Sequence, residues 1–297
     1  MNITKLNTEK RNERSFNLDE MSSLEIVTLM NDEDKQVAYN VEKQLVNISK
    51  MVDACYQSID NGGRIIYVGA GTSGRLAMLD ACECPPTYGV EDGLVIAISA
   101  DGIGYFDLET GDNEDKEELG YAVLDEYDVN SKDIVIGIAA SGRTPYVIGS
   151  LKRAHDLGCV TGCVCCNENS EIGKFADIKI EVNNGNEVLT GSTRLKSGTS
   201  QKMILNMITT STMVLLGKAY TNLMVDMKLA NKKLEQRALN MIMMATEVSE
   251  EVAAKVLSEA HNEVKTAILM ILLDVDYELA KNKLGIAKGH IKKAINL

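Results

Sequence analysis

Three loops rich in glycine and hydroxyl residues carry the clearest chemistry in this 297-residue chain. They lie at residues 69–75, 139–145 and 190–199, and the first two contain Ser-Gly-Arg between an apolar run and an amphipathic segment. A strand, a tight loop and a helix in that order direct backbone N–H groups and the positive end of a helix dipole at one point, where an anion binds. The predicted anion ligands are Thr72, Ser73, Arg75, Ser141, Arg143, Thr144, Ser192, Thr193, Arg194 and Lys196.

Alternating apolar and amphipathic segments predict the elements that position these loops. Apolar runs lie at residues 65–68, 94–98, 133–138, 159–165 and 178–182, with helix-like segments between most of them. Continuously apolar strands that alternate with helices are typical of a parallel sheet covered on both faces. We therefore predict an α/β fold in which the loops share one edge of a parallel sheet, since the carboxyl ends of its strands meet there.

The two ends of the chain follow other patterns. The first twenty residues are polar and aperiodic, which predicts a loosely held arm. Ser22 and Glu25 form a capping box for a short helix, and Asn31 is positioned to cap a second one that runs to residue 59. Helical patterns follow residue 200. We predict a sugar-phosphate-binding domain over residues 1–245, including the N-terminal helices, and a small helical domain over 246–297.

Glu83 lies in the run Cys-Glu-Cys-Pro-Pro, one predicted helix after the first loop, so a carboxylate follows the anion-binding loop closely in the chain. Consecutive prolines disfavour a helix, so the helix after the first loop is predicted to end there. An apolar, proline-closed setting would keep a carboxyl group protonated near neutral pH. A solvated glutamate at a helix end is the alternative that these residues leave open.

Composition and spacing exclude several other classes of function. A net charge of −12 disfavours nucleic acid and anionic membranes as partners, and no apolar run is long enough to cross a membrane. The seven cysteines are predicted to be reduced core thiols in a cytoplasmic protein, without a metal. The GxGxxG pattern at Gly69 lacks an acidic residue at the spacing that a dinucleotide site needs, because Glu91 and Asp92 stand before the next strand and Asp101 comes late. A sugar-phosphate site fits the hydroxyl loops better.

Longer motifs make the chain similar to the N-acetylmuramic acid 6-phosphate etherases, which have the flavodoxin-like sugar isomerase fold. The similar runs are GAGTSGRLAMLDACECPPTYGV at 69–90, GIAASGRTPYVI at 137–148, TGSTRLKSGTSQKMILNM at 190–207 and NLMVDM at 222–227. The resemblance covers nearly the whole chain. It implies cleavage of a D-lactyl ether to N-acetylglucosamine 6-phosphate and D-lactate, by a homodimer without a metal or cofactor.

The same resemblance implies two catalytic carboxylates, Glu83 as the acid and Glu114 as the second. The residues before Glu114 depart from the family pattern, so Glu109 is the alternative for the second position. Elimination needs one group to take the C2 proton and another to protonate the leaving oxygen, which two carboxyl groups can do. A non-catalytic regulator that senses a sugar phosphate is the main alternative function, and an isomerase is the third.

Overall fold

The computed structural model describes residues 6–102, 112–229 and 231–297. The chain packs into two compact units, unit 1 with Met1–Ala81 and Gly93–Thr209, and unit 2 with Cys82–Asp92 and Thr210–Leu297. Compactness alone does not define an independently folding domain, so the boundary near residue 245 stays a prediction. Among the helices of the described residues, none is both long and apolar enough to span a membrane.

Unit 1 contains a five-stranded parallel sheet in the order β2-β1-β3-β4-β5. Its strands are β1 Ile65–Gly69, β2 Val95–Ser99, β3 Ile134–Ala139, β4 Val160–Cys165 and β5 Ile178–Glu181. Every residue of β1 and β3 is buried, as expected for central strands that are covered on both sides. This strand order is that of flavodoxin-like folds, and the α/β prediction is confirmed.

Helices cover both faces of this sheet. Those of the first half of the chain are α1 Ser23–Glu42, α2 Leu45–Asp60, α3 Gly71–Tyr88, α4 Glu117–Glu126 and α5 Pro145–Asp156, and α6 Lys196–Leu215 follows β5. On one face Leu124 and Leu151 pack in a core with Cys163. On the other face Met51 of α2 lies against Gly162, where an added Cβ would clash with the end of the methionine side chain.

Unit 2 is mainly helical around a core of its own. It contains the short strands β6 Ala219–Tyr220 and β7 Leu223–Met224, then α7 Lys232–Thr246, α8 Glu250–Glu259, α9 Val264–Leu273, α10 Tyr277–Ile286 and α11 Ile291–Ile295. Ile242, Leu257 and Ile268 lie in its core. The predicted helical character of residues 246–297 is confirmed, and α10 and α11 are separated where Lys288 and Gly289 have positive φ.

Two predictions about helix ends are wrong. Helix α3 continues through Pro85 and Pro86 to Tyr88. The prolines lack only their own N–H groups, and their carbonyl groups are used: Gly89 N–H donates to Pro85 O (3.0 Å) and Lys228 N–H to Pro86 O (3.2 Å). The capping box at Ser22 is confirmed, but α1 continues past Asn31 to Glu42.

The N-terminal segment is not loosely held over its described residues. It forms three short 3-10 turns, and Thr8 is buried. Asn7 N–H donates to Asn167 Oδ1 (3.0 Å), and Asn167 Nδ2 donates to Thr8 Oγ1 (3.2 Å). Because Asn167 follows β4, the polar segment is fixed at the edge of the sheet where the hydroxyl loops lie.

Candidate active site

The three hydroxyl loops come together in unit 1. Gly69 of β1 is paired with Ile138 of β3, so the loops that follow these two strands are neighbours. Ser73 Oγ donates a hydrogen bond to Gln201 Oε1 (3.0 Å) in α6, which begins within the third loop. The sequence predicted the loops at one sheet edge because the carboxyl ends of parallel strands meet there, and the hydrogen bond adds a direct link between the first loop and the third.

At the first loop, the position for an anion is taken by a carboxylate of the chain itself. Helix α3 begins at Gly71, whose N–H donates to Asp101 Oδ2 (2.9 Å). The same oxygen lies 3.4 Å from Arg75 Nη2. Ser73 is buried and Thr72 half-buried. Asp101 thus satisfies both the helix terminus and the arginine that the sequence assigned to a phosphate.

The donors of the third loop also bond to carboxylates of the chain itself. The buried Glu187 carboxylate accepts from the N–H groups of Lys196 and Ser197 (2.9 Å each), the first residues of α6. The Lys196 ammonium is buried and lies 2.6 Å from Glu33 Oε2. Partial burial alone would raise the pKa of Glu33, but hydrogen bonds from Lys196 and Arg14 outweigh it, so the pKa is lowered. Ser192 and Thr193 are half-buried and Arg194 is exposed.

The second loop differs from the other two. Ser141, Arg143 and Thr144 are half-buried, and the only hydrogen bond to the Ser141 hydroxyl within the described residues is from Arg143 N–H (3.2 Å). Arg143 Nε is buried with no hydrogen-bond partner in this part of the chain. Among described residues no carboxylate accepts a hydrogen bond from residues 140–144. This loop therefore has donors left for an external anion.

Glu83 is not in the apolar setting that the sequence predicted. The buried face of α3 runs through Ala77, Asp80 and Cys84 at three- and four-residue spacing, and Glu83 lies beside it with an exposed side chain. The expectation of a proline-closed pocket around this carboxyl group is wrong for the described chain, because the helix continues through the prolines. Its role as the acid stays a prediction.

Glu114 lies in a 3-10 turn, Asn113–Asp115, in unit 1. Asn113 Nδ2 donates to Ala100 O (3.3 Å) and ties this turn to the end of β2. Glu114 is exposed as a residue, yet its carboxyl end is partly desolvated, which raises the pKa, and the carboxylates of Asp115 and Asp101 raise it further. The alternative, Glu109, lies outside the described residues.

Sequence reasoning missed Asp101, Glu187 and Glu33 as internal partners of the loops. Asp101 follows the second strand directly, so its place at the sheet edge was available as a signal. The spacing of Glu33 and Lys196, by contrast, gives no signal, because 163 residues separate them. The described residues hold no cluster of three or more His, Cys, Asp or Glu suited to a metal ion.

Sheet order and hydroxyl loops define a protein of the sugar isomerase (SIS) class. The family model for the SIS domain matches residues 114–211, and that for the glucokinase regulatory protein N-terminal SIS domain matches residues 47–155. Among solved structures, a phosphoheptose isomerase from Francisella tularensis is 15% identical, with a TM-score of 0.48 over 63% of this chain and 98% of that one. At this similarity it adds nothing on function.

Full-length relatives are more specific. An N-acetylmuramic acid 6-phosphate etherase from Bacillus thuringiensis subsp. konkukian is 52% identical over 99% of this chain and 100% of its own length. One from Bacillus cereus is 51% identical with the same coverage. The chain belongs to the N-acetylmuramic acid 6-phosphate etherase family.

Proposed function

We propose that this protein is a carbon–oxygen lyase that cleaves the D-lactyl ether of N-acetylmuramic acid 6-phosphate, giving N-acetylglucosamine 6-phosphate and D-lactate. The observation that carries the proposal is the 52% identity to an etherase over 99% of the chain. The SIS-type sheet with hydroxyl loops at the carboxyl ends of its strands supports it, because this edge suits a sugar phosphate.

The phosphate group is best accommodated at residues 140–144. Ser141 and Thr144 offer hydroxyl groups, Arg143 offers a buried Nε without a partner, and α5 begins directly after them at Pro145. Loops one and three have Asp101 and Glu187 at the corresponding positions. In this proposal the predicted ligands Thr72, Ser73, Arg75, Ser192, Thr193, Arg194 and Lys196 contact the sugar or support the second loop.

The chemistry starts from the open-chain aldehyde of the sugar, in which the C2 proton is acidic because it is α to the carbonyl group. Glu114 as carboxylate takes this proton, the electrons form a C2=C3 double bond, and the C3–O bond breaks. Protonated Glu83 gives its proton to the leaving lactyl oxygen. Water then adds to C3 and a proton returns to C2 with the roles reversed. The raised pKa of Glu114 makes it the stronger base.

An exposed carboxyl group is ionised at neutral pH, so it must be desolvated before it can act as an acid. Glu83 is exposed in the single chain. We propose that the bound substrate or a second copy of the chain desolvates it, as a cytoplasmic homodimer would allow. Burial of a carboxyl group favours its neutral form, so burial of Glu83 on binding would make it a proton donor.

Release of D-lactate from N-acetylmuramic acid 6-phosphate tests the function directly, with a D-lactate dehydrogenase assay as readout. We expect Glu83→Gln and Glu114→Gln each to lower kcat by about 10²–10⁴-fold, because each removes a proton-transfer group. Glu118→Gln is the matched control, since this exposed glutamate lies close to Glu114 in the sequence on α4. No lactate from the wild type overturns the proposal, and an active Glu114→Gln beside an inactive Glu109→Gln reassigns the base.

A sugar-phosphate sensor is the second candidate, favoured by the match of residues 47–155 to the regulatory-protein SIS domain. A sensor needs the phosphate loop but no acid. The same assay separates the two, because a sensor would bind N-acetylmuramic acid 6-phosphate without releasing D-lactate, and Glu83→Gln would leave that binding unchanged.

A further inference from the structure

Unit 2 contains a cavity of about 470 Å³ whose lining is unusually basic for this chain. Four lysines line it, Lys218, Lys228, Lys265 and Lys281, against two carboxylates, Asp226 and Glu263. The chain as a whole has a net charge of −12. None of the predicted catalytic or phosphate-binding residues belongs to this lining. An excess of positive charge in a concave space favours the binding of an anion.

The ion pairs around Asp226 leave one cation in excess. Lys265 Nζ lies 2.6 Å from Asp226 Oδ2 and donates to Gly217 O at 2.8 Å, while Lys218 Nζ lies 3.3 Å from the same Asp226 oxygen. Two ammonium groups therefore share one carboxylate. Burial lowers the pKa of Lys265; Asp226 opposes that shift, and Lys218 and Lys281 add to it.

The remaining lysines lie at more exposed positions. Lys281 Nζ is 2.8 Å from Glu263 Oε2, so this pair is neutral. Lys228 Nζ is 3.8 Å from Asp92, an aspartate whose side chain is 90% exposed and which is solvated. Gly89 closes one side of the cavity, where any side chain would collide with Asp226 O. Lys265 is bonded to Gly217 O and Asp226 and has a structural role, so Lys218 and Lys228 are the lysines available to contact a ligand.

We propose that this cavity is an anion-binding site for a small metabolite that carries a phosphate or carboxylate group. Its volume is within the range of small-molecule sites, and ammonium groups are suited to an oxyanion as point charges. The two products of the proposed reaction each carry one such group, so the site has two candidate sources of the same chemistry.

Inorganic phosphate is the probe, and its binding is counted by equilibrium dialysis. We expect Lys218→Gln to weaken one binding site by about tenfold or more, because it removes the unbalanced ammonium while Asp226 keeps Lys265. Lys255→Gln is the control with the same charge change, on α8 with a 75% exposed side chain. Equal phosphate binding by the two variants overturns the proposal. Should Lys218→Gln fail to fold, Lys228→Gln replaces it with the same expected outcome.

Competition identifies the source of the anion. D-Lactate and N-acetylglucosamine 6-phosphate are each added in excess to phosphate-loaded wild type and to Ser141→Ala, in which the loop site is weakened. Displacement from the lysine-dependent site by D-lactate indicates a carboxylate ligand, and displacement by the sugar phosphate indicates a phosphate ligand. A lysine-dependent site that neither compound empties overturns the assignment to a metabolite. Turnover does not enter this readout, so it stands apart from the etherase test.

Discussion

The two Ser-Gly-Arg tripeptides have the same sequence but different structures. In the first, Ser73, Gly74 and Arg75 lie inside α3, which begins at Gly71. In the second, residues 141–143 form a loop before α5, which begins at Pro145. Asp101 caps the first helix terminus, whereas no carboxylate of the described chain bonds to the second loop. One motif thus folds into a helix held from within and the other into a loop with free donors.

Pro145 explains the difference. Proline lacks an N–H and fits the first turn of a helix, where no intrahelical partner is needed, so it fixes the start of α5. The residue before it is pushed out of the helical region, and Thr144 has ψ 116°. Nothing comparable follows Gly71. A tripeptide motif therefore identifies a strand–helix junction, and its neighbours decide where the helix begins.

The largest effect is expected where a loop is held from within by a buried ion pair. Lys196→Met removes the buried one of the two cations that contact the Glu33 carboxylate, whose side chain is only 12% exposed, and leaves Arg14 at 2.8 Å as the other. This should lower the free energy of unfolding by about 2 kcal/mol or more. Lys174→Met, at an exposed pair with Glu171, should cost about 0.5 kcal/mol or less. Denaturant unfolding measures both, and equal losses would mean that Lys196 is not a structural lysine.

The Lys196 effect should depend on pH. Glu33 has a lowered pKa in the folded state, so its stabilisation is present above the unfolded pKa and is lost as pH falls through the folded pKa. The stability difference between wild type and Lys196→Met should therefore shrink in acid. A difference that stays constant down to strongly acidic pH would contradict the ion-pair explanation.

Glycine substitutions compare the two loops directly. Gly142 has φ +68°, and an added Cβ would lie 2.5 Å from Ser170 Cβ, so Gly142→Ala should destabilise the protein by about 2 kcal/mol or more. Gly71 has φ +53° with open space around it, so Gly71→Ala should cost about 1 kcal/mol. Thermal unfolding gives the ranking, and a larger loss at Gly71 would reverse the comparison.

Serine substitutions compare the first and second loops through their effect on substrate binding. As predicted anion ligands, Ser73 and Ser141 would both be expected to raise KM when replaced by alanine. With the Ser73 hydroxyl bonded to Gln201, we now expect Ser141→Ala to raise KM about tenfold, and Ser73→Ala to cost about 1 kcal/mol of stability with KM changed by about threefold or less. Steady-state kinetics beside melting curves test this, and the opposite order would move the phosphate to the first loop.

The smallest effect concerns Asp101, whose carboxylate helps to raise the pKa of Glu114. Loss of that charge in Asp101→Asn should move the acid limb of the kcat/KM profile to lower pH, because a base with a lower pKa stays deprotonated further into acid. Asp112→Asn, exposed and close in sequence to Glu114, is the control expected to leave the limb in place. An acid limb that stays in place in Asp101→Asn would mean that the Asp101 charge does not influence the base.

The amino-acid sequence by itself determined the α/β class, the hydroxyl loops and the family. Hydrophobic periodicity and turn residues are local, so the five strands and most helices follow from them, and long motifs such as GIAASGRTPYVI are specific to the family. Local rules failed at Pro85 and Pro86, where α3 continues to Tyr88 and the carbonyl groups of both prolines accept hydrogen bonds.

Tertiary structure decided which loop is left with free donors. Asp101, Glu187 and Glu33 come from other elements, and Glu33 meets Lys196 across 163 residues of chain. Such pairings depend on which elements pack together, so no spacing rule predicts them. The sequence showed where anions could bind; the fold fills two of the three positions with carboxylates of its own, because a buried donor or cation left without a partner would cost several kcal/mol.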